Sequence, residues 1–361
     1  MKISPNLNAK SHIPASHGGI FSITKPDEKI IDFSSNVNPL GCHPGVKKYL
    51  KKQLNQIDVY PDSESTKLRS NLKWFTGLNT SQILVGNGAT EIIYNFCSAF
   101  VNKKTKVLIP CPTFSEYENA VKFFEGKIIR FKSLNLANDL SKFLTKIPTK
   151  GIIFFCNPNN PTGELLSKKY MEEIVKKAEK KSTLVFLDET FIELVPDSNS
   201  SLVKFIKSHE NLFILRSFTK SFGLAGLRIG YGLGNKKIIE ILQRVKIPWN
   251  VNYIAQTAAS TALCHTNFLE KSQKNIKKES SFLMKSLSKI EWLSCFSSFT
   301  NFILIKTKIN SKNLQKQLLK KNILIRDCST FCGLDENYIR IAVKNRNQNK
   351  LLVKAIGEIK W

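Results

Sequence analysis

The sequence predicts an α/β protein, with a mixed, mostly parallel sheet flanked by helices and a smaller α+β unit drawn mainly from the last third of the chain. Three observations lead there. Short runs of β-branched and aromatic residues alternate with amphipathic helical patterns between residue 83 and residue 231. No low-complexity block, long Pro/Gly linker or repeat with a period of roughly 20–50 residues interrupts that alternation, so the elements pack as one continuous fold. After Pro248-Trp249 the pattern changes to long helical stretches followed by interleaved strands and helices.

Taken in order, Ile83-Leu84-Val85-Gly86 reads as a strand and residues 90–101 as the helix that follows it. Val107-Leu108-Ile109 is the next strand and 114–124 the next helix. The apolar run 151–156 reads as a buried strand, 167–180 as a helix, and 183–187, 212–215 and 227–231 as further strands. Beyond residue 248 come helices at 253–264 and 266–288, a strand at 302–305, a helix at 311–320, strands at 323–326 and 338–343, and a last helix near 347–358. The expected division is a large unit of residues 46–250 and a smaller one of 251–361 joined by the N-terminal 1–45.

At 361 residues the chain is long enough for a sizeable core without disulfide or metal staples. No apolar run approaches the roughly 18 residues of a membrane span, so a transmembrane protein is excluded. Met1-Lys2-Ile3-Ser4-Pro5-Asn6 is followed by no apolar signal region, and the expected location is the cytosol, with reduced thiols. The eight cysteines form no C-x-x-C pair; Cys328 and Cys332 lack a second ligand pair, so no metal is expected. Fifty-five Lys and Arg against 28 Asp and Glu give a net charge of +27. The lysines are scattered as singles and doubles along amphipathic segments, without a basic tail or a recognition module, which reads as a solvated surface and not as a nucleic-acid interface. Such a field favours the arrival of anionic substrates.

Four segments carry chemistry. Lys220, in Arg216-Ser217-Phe218-Thr219-Lys220-Ser221-Phe222-Gly223, lies just past a buried strand at the carboxyl edge of the sheet, where open α/β proteins bind ligands. Burial, with Arg216 and Arg228 near it in sequence, disfavours its ammonium and frees the amine for covalent attachment to a carbonyl. Asp188 ends the strand 183–187 at the same edge, and a carboxylate buried there needs a cationic partner; the protonated ring nitrogen of pyridoxal phosphate is one. Asn157-Pro158-Asn159-Asn160-Pro161-Thr162-Gly163 makes a proline-fixed turn that offers amides at that edge. Gly86-Asn87-Gly88-Ala89-Thr90-Glu91 runs from a strand into a helix start, where glycines and free amides cradle a phosphate. Neither a P-loop nor a dinucleotide fingerprint is present.

Gly88-Ala89-Thr90, Asn160, Asp188, Lys220 and Arg228, in this order, resemble the cofactor site of the fold-type I pyridoxal 5'-phosphate enzymes of the class I/II aminotransferase superfamily, over nearly the whole chain. The resemblance implies that Lys220 holds the cofactor covalently, that Asp188 pairs with its ring nitrogen, and that Asn160 bonds its 3-oxygen. By it Arg228, Ser217, Thr219 and the amides of Gly88, Ala89 and Thr90 hold the phosphate, and Phe114 stacks on the ring. Tyr60 corresponds to the tyrosine that reaches the neighbouring subunit's cofactor, implying a homodimer with shared active sites. Arg340 corresponds to the arginine that receives the substrate carboxylate. One departure is Phe191, where many members carry a tyrosine that bonds the 3-oxygen; the resemblance then leaves that oxygen to Asn160.

Within the superfamily, finer segments resemble the threonine-phosphate decarboxylases of cobalamin biosynthesis more than the histidinol-phosphate aminotransferases. They are His17-Gly18-Gly19, the stretch from Asp32 through Asn38 to Gly41, Thr113-Phe114-Ser115-Glu116-Tyr117-Glu118, Pro248-Trp249-Asn250-Val251-Asn252, and the stretch from Ile325 to Leu334. The His-Gly-Gly lead discriminates best. The implied substrate is a phosphorylated amino acid, bound by His17, Gly18, Gly19, Asn38, Arg326 and Arg340, two guanidiniums sufficing for a carboxylate and a phosphate; the alternative is transamination of histidinol phosphate, which also carries a phosphate, so the second arginine fits either.

Overall fold

A computed structural model describes residue 8 and residues 12–23, 26–196 and 200–359. The hexapeptide from Met1 to Asn6, on which the expected location rests, lies outside them. Strand β1 (Ile31–Asp32) precedes the helices Pro44–Lys51 and Thr66–Thr76. Then follow β2 (Ile83–Gly86), β3 (Lys106–Cys111), β4 (Lys127–Lys132), β5 (Ile152–Cys156), β6 (Leu184–Asp188), β7 (Leu212–Ser217) and β8 (Gly230–Gly234). These seven form one sheet in the order β2-β8-β7-β6-β5-β3-β4. Pairing is parallel from β4 through β7, and β8 runs antiparallel between β7 and β2.

Side chains alternate between two cores. Ile153, Phe155, Val185, Leu187, Leu212 and Ile214 pack on one face of the sheet, and Ile152, Phe154, Phe186, Phe213 and Leu215 on the other. Both faces are covered, which is why these strands read as unbroken apolar runs. The helices Gly88–Phe100 and Ser115–Phe123 cover the second face, through Ile92, Phe96, Tyr117 and Val121.

The smaller unit holds β9 (Leu293–Cys295), β10 (Phe302–Thr307), β11 (Ile323–Leu324), β12 (Arg326–Asp327) and β13 (Tyr338–Ala342). Four of them make an antiparallel sheet, β12-β13-β10-β9, while β11 pairs in parallel with β1. The single strand expected at 323–326 is thus two short ones that serve different sheets. Its core, around Phe33, Leu283, Ile303, Ile305, Ile339 and Ile341, includes the N-terminal segment. The change of pattern at Pro248-Trp249 does not mark a change of core. Val251, Ala255, Ala258, Ala259 and Ala262 pack with the large sheet, and the long helix Asn267–Leu287 spans from Leu269 in that core to Leu283 and Leu287 in the other. Small alanines let the helix Tyr253–Ala262 lie close against its neighbours.

Three segments differ from the sequence expectation. The strand expected at 227–231 begins at Gly230, because Ala225–Leu227 form a 3-10 turn and Arg228 takes a left-handed φ of 54°. β4 lacks an apolar run because it is the sheet's edge strand, with Lys127 and Lys132 exposed. The helix Lys236–Val245 packs Ile238, Ile239 and Leu242 onto the second core.

Beneath the strand ends lies a buried ionic cluster. Arg216 donates to Glu189 at 2.7 Å, to Glu193 at 3.1 Å and to Ser201 Oγ at 2.7 Å, and Ser221 Oγ donates to Glu193 at 2.9 Å. Arg216→Ala leaves two buried carboxylates without their cation and should destabilise the fold by about 3–5 kcal/mol, measured by urea unfolding.

Candidate active site

The register gathers the chemistry at one edge of the sheet. Cys156, Asp188 and Leu215 lie side by side across β5, β6 and β7, and Ser217, Gly230 and Gly86 across β7, β8 and β2. Because β8 is antiparallel, its first residue meets the last residues of its neighbours, and this brings Arg228 beside the strand exits. A cavity of ≈ 440 Å³ opens there. Its walls include Thr90, Phe114, Asn160, Asp188, Lys220 and Arg228.

Lys220 Nζ donates to Asn36 Oδ1 at 3.1 Å. Its pKa is lowered to about 7, first by burial and then by the charges of Arg340 and Arg228. Arg216 does not contribute as its sequence proximity suggested: its side chain is committed to Glu189 and Glu193. Asp188 is buried; it accepts from the Tyr117 hydroxyl at 2.5 Å and from the Thr190 amide at 2.8 Å. Burial raises its pKa against those hydrogen bonds, and among the described residues it has no ion-pair partner, so the site carries an unmet demand for a cation.

At the start of the helix Gly88–Phe100, Gly88 has a φ of +82°. A Cβ there would stand 2.8 Å from an Arg228 guanidinium nitrogen, and one at Gly230 would stand 2.9 Å from the Ala89 amide nitrogen. Bare glycines therefore let Arg228 and the first helical amides, which have no acceptor in their own helix, converge on one point. The Asn160 oxygen accepts from Arg340, which leaves its amide nitrogen as the donor. These features fit pyridoxal phosphate: an amine deprotonated near neutrality, a buried carboxylate for the ring nitrogen, a phosphate cradle, and Phe114 in the wall for the ring.

Ser16, His17, Gly18, Arg326 and Phe331 line the same cavity. Arg326 and Arg340 are 8% and 6% exposed and have no carboxylate partner among the described residues. Burial lowers both pKa values, that of Arg340 to about 10.

Two residues expected at the site are placed elsewhere. Asn38 is buried below the lysine loop, donating to the Ser221 carbonyl and to Ser272 Oγ at 2.8 Å each; Asn36, two residues earlier, faces the cavity instead. Gly19 lies outside the wall, its amide held by Ser34 Oγ at 2.7 Å. Tyr60, expected to serve the neighbouring subunit, is 80% exposed and packs on Trp249 outside its own chain's cavity. Tyr117, Thr190 and Asn36 escaped the sequence reading; for Tyr117 the available signal was its spacing of three from Phe114, which puts the two rings on one helical face, 5.6 Å apart. Among the described residues no cluster of His, Cys, Asp and Glu is able to hold a metal, and no helix is long and apolar enough to cross a membrane.

A strand-edge lysine, a buried carboxylate and a glycine-lined phosphate cradle on this sheet define a pyridoxal-phosphate enzyme of fold type I. The family model for aminotransferase class I and II matches residues 28–356, and the chain belongs to that family, whose cofactor is pyridoxal 5'-phosphate. It is 36% identical to a protein of Caldanaerobacter subterraneus subsp. tengcongensis provisionally named a threonine-phosphate decarboxylase, over 95% of this chain and 93% of that one. It is also 36% identical to the histidinol-phosphate aminotransferase of Methanococcus aeolicus, over 92% and 91%. The solved histidinol-phosphate aminotransferase of Clostridium acetobutylicum superposes with a TM-score of 0.84 at 34% identity, covering 91% of this chain and 98% of its own. Both names recur among further relatives and solved structures.

Two outcomes follow from the site. In the cofactor-free protein Lys220 is protonated when unfolded but resists protonation when folded. Its destabilising effect is therefore full below pH ~7 and fades as pH rises toward its ordinary value near 10.5. Lys220→Met should raise the thermal midpoint of cofactor-free protein at pH 6–7, and the gain over wild type should shrink toward pH ~10, followed by calorimetry. Phe191 is buried against Phe302 in the cavity wall and offers no donor. Phe191→Tyr adds one toward the 3-oxygen, and should lower the pH midpoint of the bound cofactor's visible absorbance in a spectrophotometric titration.

Proposed function

We propose that this protein decarboxylates O-phospho-L-threonine to aminopropanol phosphate, a step in building the corrinoid side chain. The carrying observation is the pair Arg326 and Arg340, two buried guanidiniums without carboxylate partners, facing one cavity with Lys220. A ligand with an anion at each end of an amino-bearing carbon satisfies both, and phosphothreonine has a carboxylate and a phosphate so placed. The Ser16-His17-Gly18 wall supports the same reading, since the His-Gly-Gly lead is the segment most like the decarboxylases.

Pyridoxal phosphate, when bound, supplies the electron sink for the charge left at the α-carbon after bond breaking. The protein's own groups do the rest. Asp188, fixed by Tyr117 and Thr190, holds a negative charge where the ring nitrogen carries its proton. Arg326 and Arg340 would hold the substrate's two ends and so fix the orientation of the bonds at the α-carbon. Phe114, Phe191 and Phe331 keep water from that carbon. Lys220 Nζ would be the group that returns a proton to the α-carbon. We further infer a homodimer, in which Tyr60 serves the neighbouring site. The exposure of Leu54, Ile57, Val59, Tyr60, Ile247 and Trp249 supports that.

The second reading, transamination of histidinol phosphate with 2-oxoglutarate, is favoured by the names of most of the similar relatives. One experiment separates the two. Cofactor-loaded protein with O-phospho-L-threonine alone should release carbon dioxide and give aminopropanol phosphate by mass spectrometry, while histidinol phosphate with 2-oxoglutarate should give no glutamate. Glutamate in the second reaction and nothing in the first makes the protein an aminotransferase.

A further inference from the structure

The segment Ser16-His17-Gly18 in the cavity wall is held from behind by a carboxylate. Glu116 is 5% exposed in the first turn of the helix Ser115–Phe123. Its oxygens are divided between two partners: Oε1 lies 2.7 Å from His17 Nε2, and Oε2 accepts from the Tyr94 hydroxyl at 3.1 Å. Burial pushes its pKa up, but the hydrogen bond and charge of His17, with the Tyr94 hydroxyl, outweigh that and bring it below the usual value. The His17 side chain is 52% exposed and borders the cavity, its ring 6.0 Å from that of Phe114. One residue earlier, the Ser16 carbonyl accepts from Arg326 Nη2 at 2.6 Å. Imidazole and guanidinium thus flank the same stretch of the wall.

A carboxylate on Nε2 settles the geometry of the ring: Nε2–H points at Glu116, and Nδ1 is the nitrogen left for a ligand. We propose that Glu116 is a positioning residue that acts through His17, setting Nδ1 beside the Arg326 guanidinium so that the two receive the phosphate monoester end of the substrate. This rests on the reading of the substrate as a phosphate monoester and is independent of which α-carbon bond breaks. With Nε2–H on Glu116, the imidazolium presents Nδ1–H to an anion. The other titratable or charged groups around the pair are the Tyr94 hydroxyl and His12 beside Glu116, Arg326 beside Ser16, and Lys220, Arg228, Asp188 and Arg340 elsewhere in the cavity wall.

The test is calorimetric titration of holoenzyme with propyl phosphate, a monoester without an amine. Wild type should bind it. Glu116→Ala and His17→Ala should each weaken binding about tenfold, the loss of one charge-assisted hydrogen bond. The double variant should bind no more weakly than His17→Ala. Glu116→Gln, which keeps an acceptor, should recover most of the affinity. L-threonine, which lacks the phosphate, should perturb the cofactor's visible absorbance with unchanged affinity in Glu116→Ala, a result that a merely loosened fold does not give. Unchanged propyl phosphate affinity in Glu116→Ala, an equal loss for L-threonine, a further loss on top of His17→Ala, or no affinity in wild type overturns the proposal. Failure of the decarboxylase reading shows separately, as absence of carbon dioxide from wild type that still binds propyl phosphate.

Discussion

Asp188 occupies the last position of a strand flanked by parallel partners on both sides, and the organisation of the site depends on the cost of keeping a charge there. The sheet supplies hydrogen bonds from Tyr117 and Thr190 but, among the described residues, no cation. Lys220, Arg326 and Arg340 stand under the same constraint with the opposite sign. Removal from water makes each of these groups unstable alone, and together they leave a cavity whose electrostatics are completed only by a ligand with a positive ring nitrogen, a reactive carbonyl and anionic ends. The reactivity of Lys220 belongs to the same balance: burial lowers its pKa to about 7, and Arg340 and Arg228 push in the same direction.

The cluster below the site shows the contrast. Arg216 sits four residues from Lys220 and is as deeply buried as the cavity-lining Arg326 and Arg340, yet its charge is neutralised by Glu189 and Glu193. Through Ser221 the cluster also grips the loop that carries the lysine. Paired charges here fix the scaffold, whereas unpaired ones face the cavity. That difference is invisible in a list of charged residues and becomes plain once partners are assigned.

The sheet was readable from the chain because its central strands are buried on both faces, so β5, β6 and β7 stand out as apolar runs followed by polar, chemistry-bearing residues. Where burial is one-sided or pairing is split, the reading loses detail. The exposed edge strand β4 carries no apolar run, and 323–326 looks like one strand though Leu324 and Arg326 serve different sheets. Lys220, Asp188, Asn160 and Arg228 were legible because each stands at or within a few residues of a strand end. Asn36 and Asn38 were not separable, because they sit in an extended polar stretch whose two amides are sorted only by contacts with residues far along the chain. The effect of Arg216 on Lys220 was misjudged for a related reason: nearness in sequence gives no side-chain direction.

The parallel pairing of β1 with β11, with the Phe33 carbonyl bonded to the Ala342 amide and the Ser34 carbonyl to Arg340, stitches the early residues to the smaller unit. The part of the cavity wall formed by Ser16, Arg326 and His17, the last anchored to Glu116, which we propose receives the substrate's far end, therefore draws on sequence on either side of the cofactor-bearing sheet. Selection is free to rewrite that part of the wall without disturbing the strands that present Asp188 and Lys220. A duplicated gene altered only in those flanking stretches inherits working cofactor chemistry and is at liberty to acquire a new substrate, and one scaffold diversifies by exchanging its margins while its centre stays fixed.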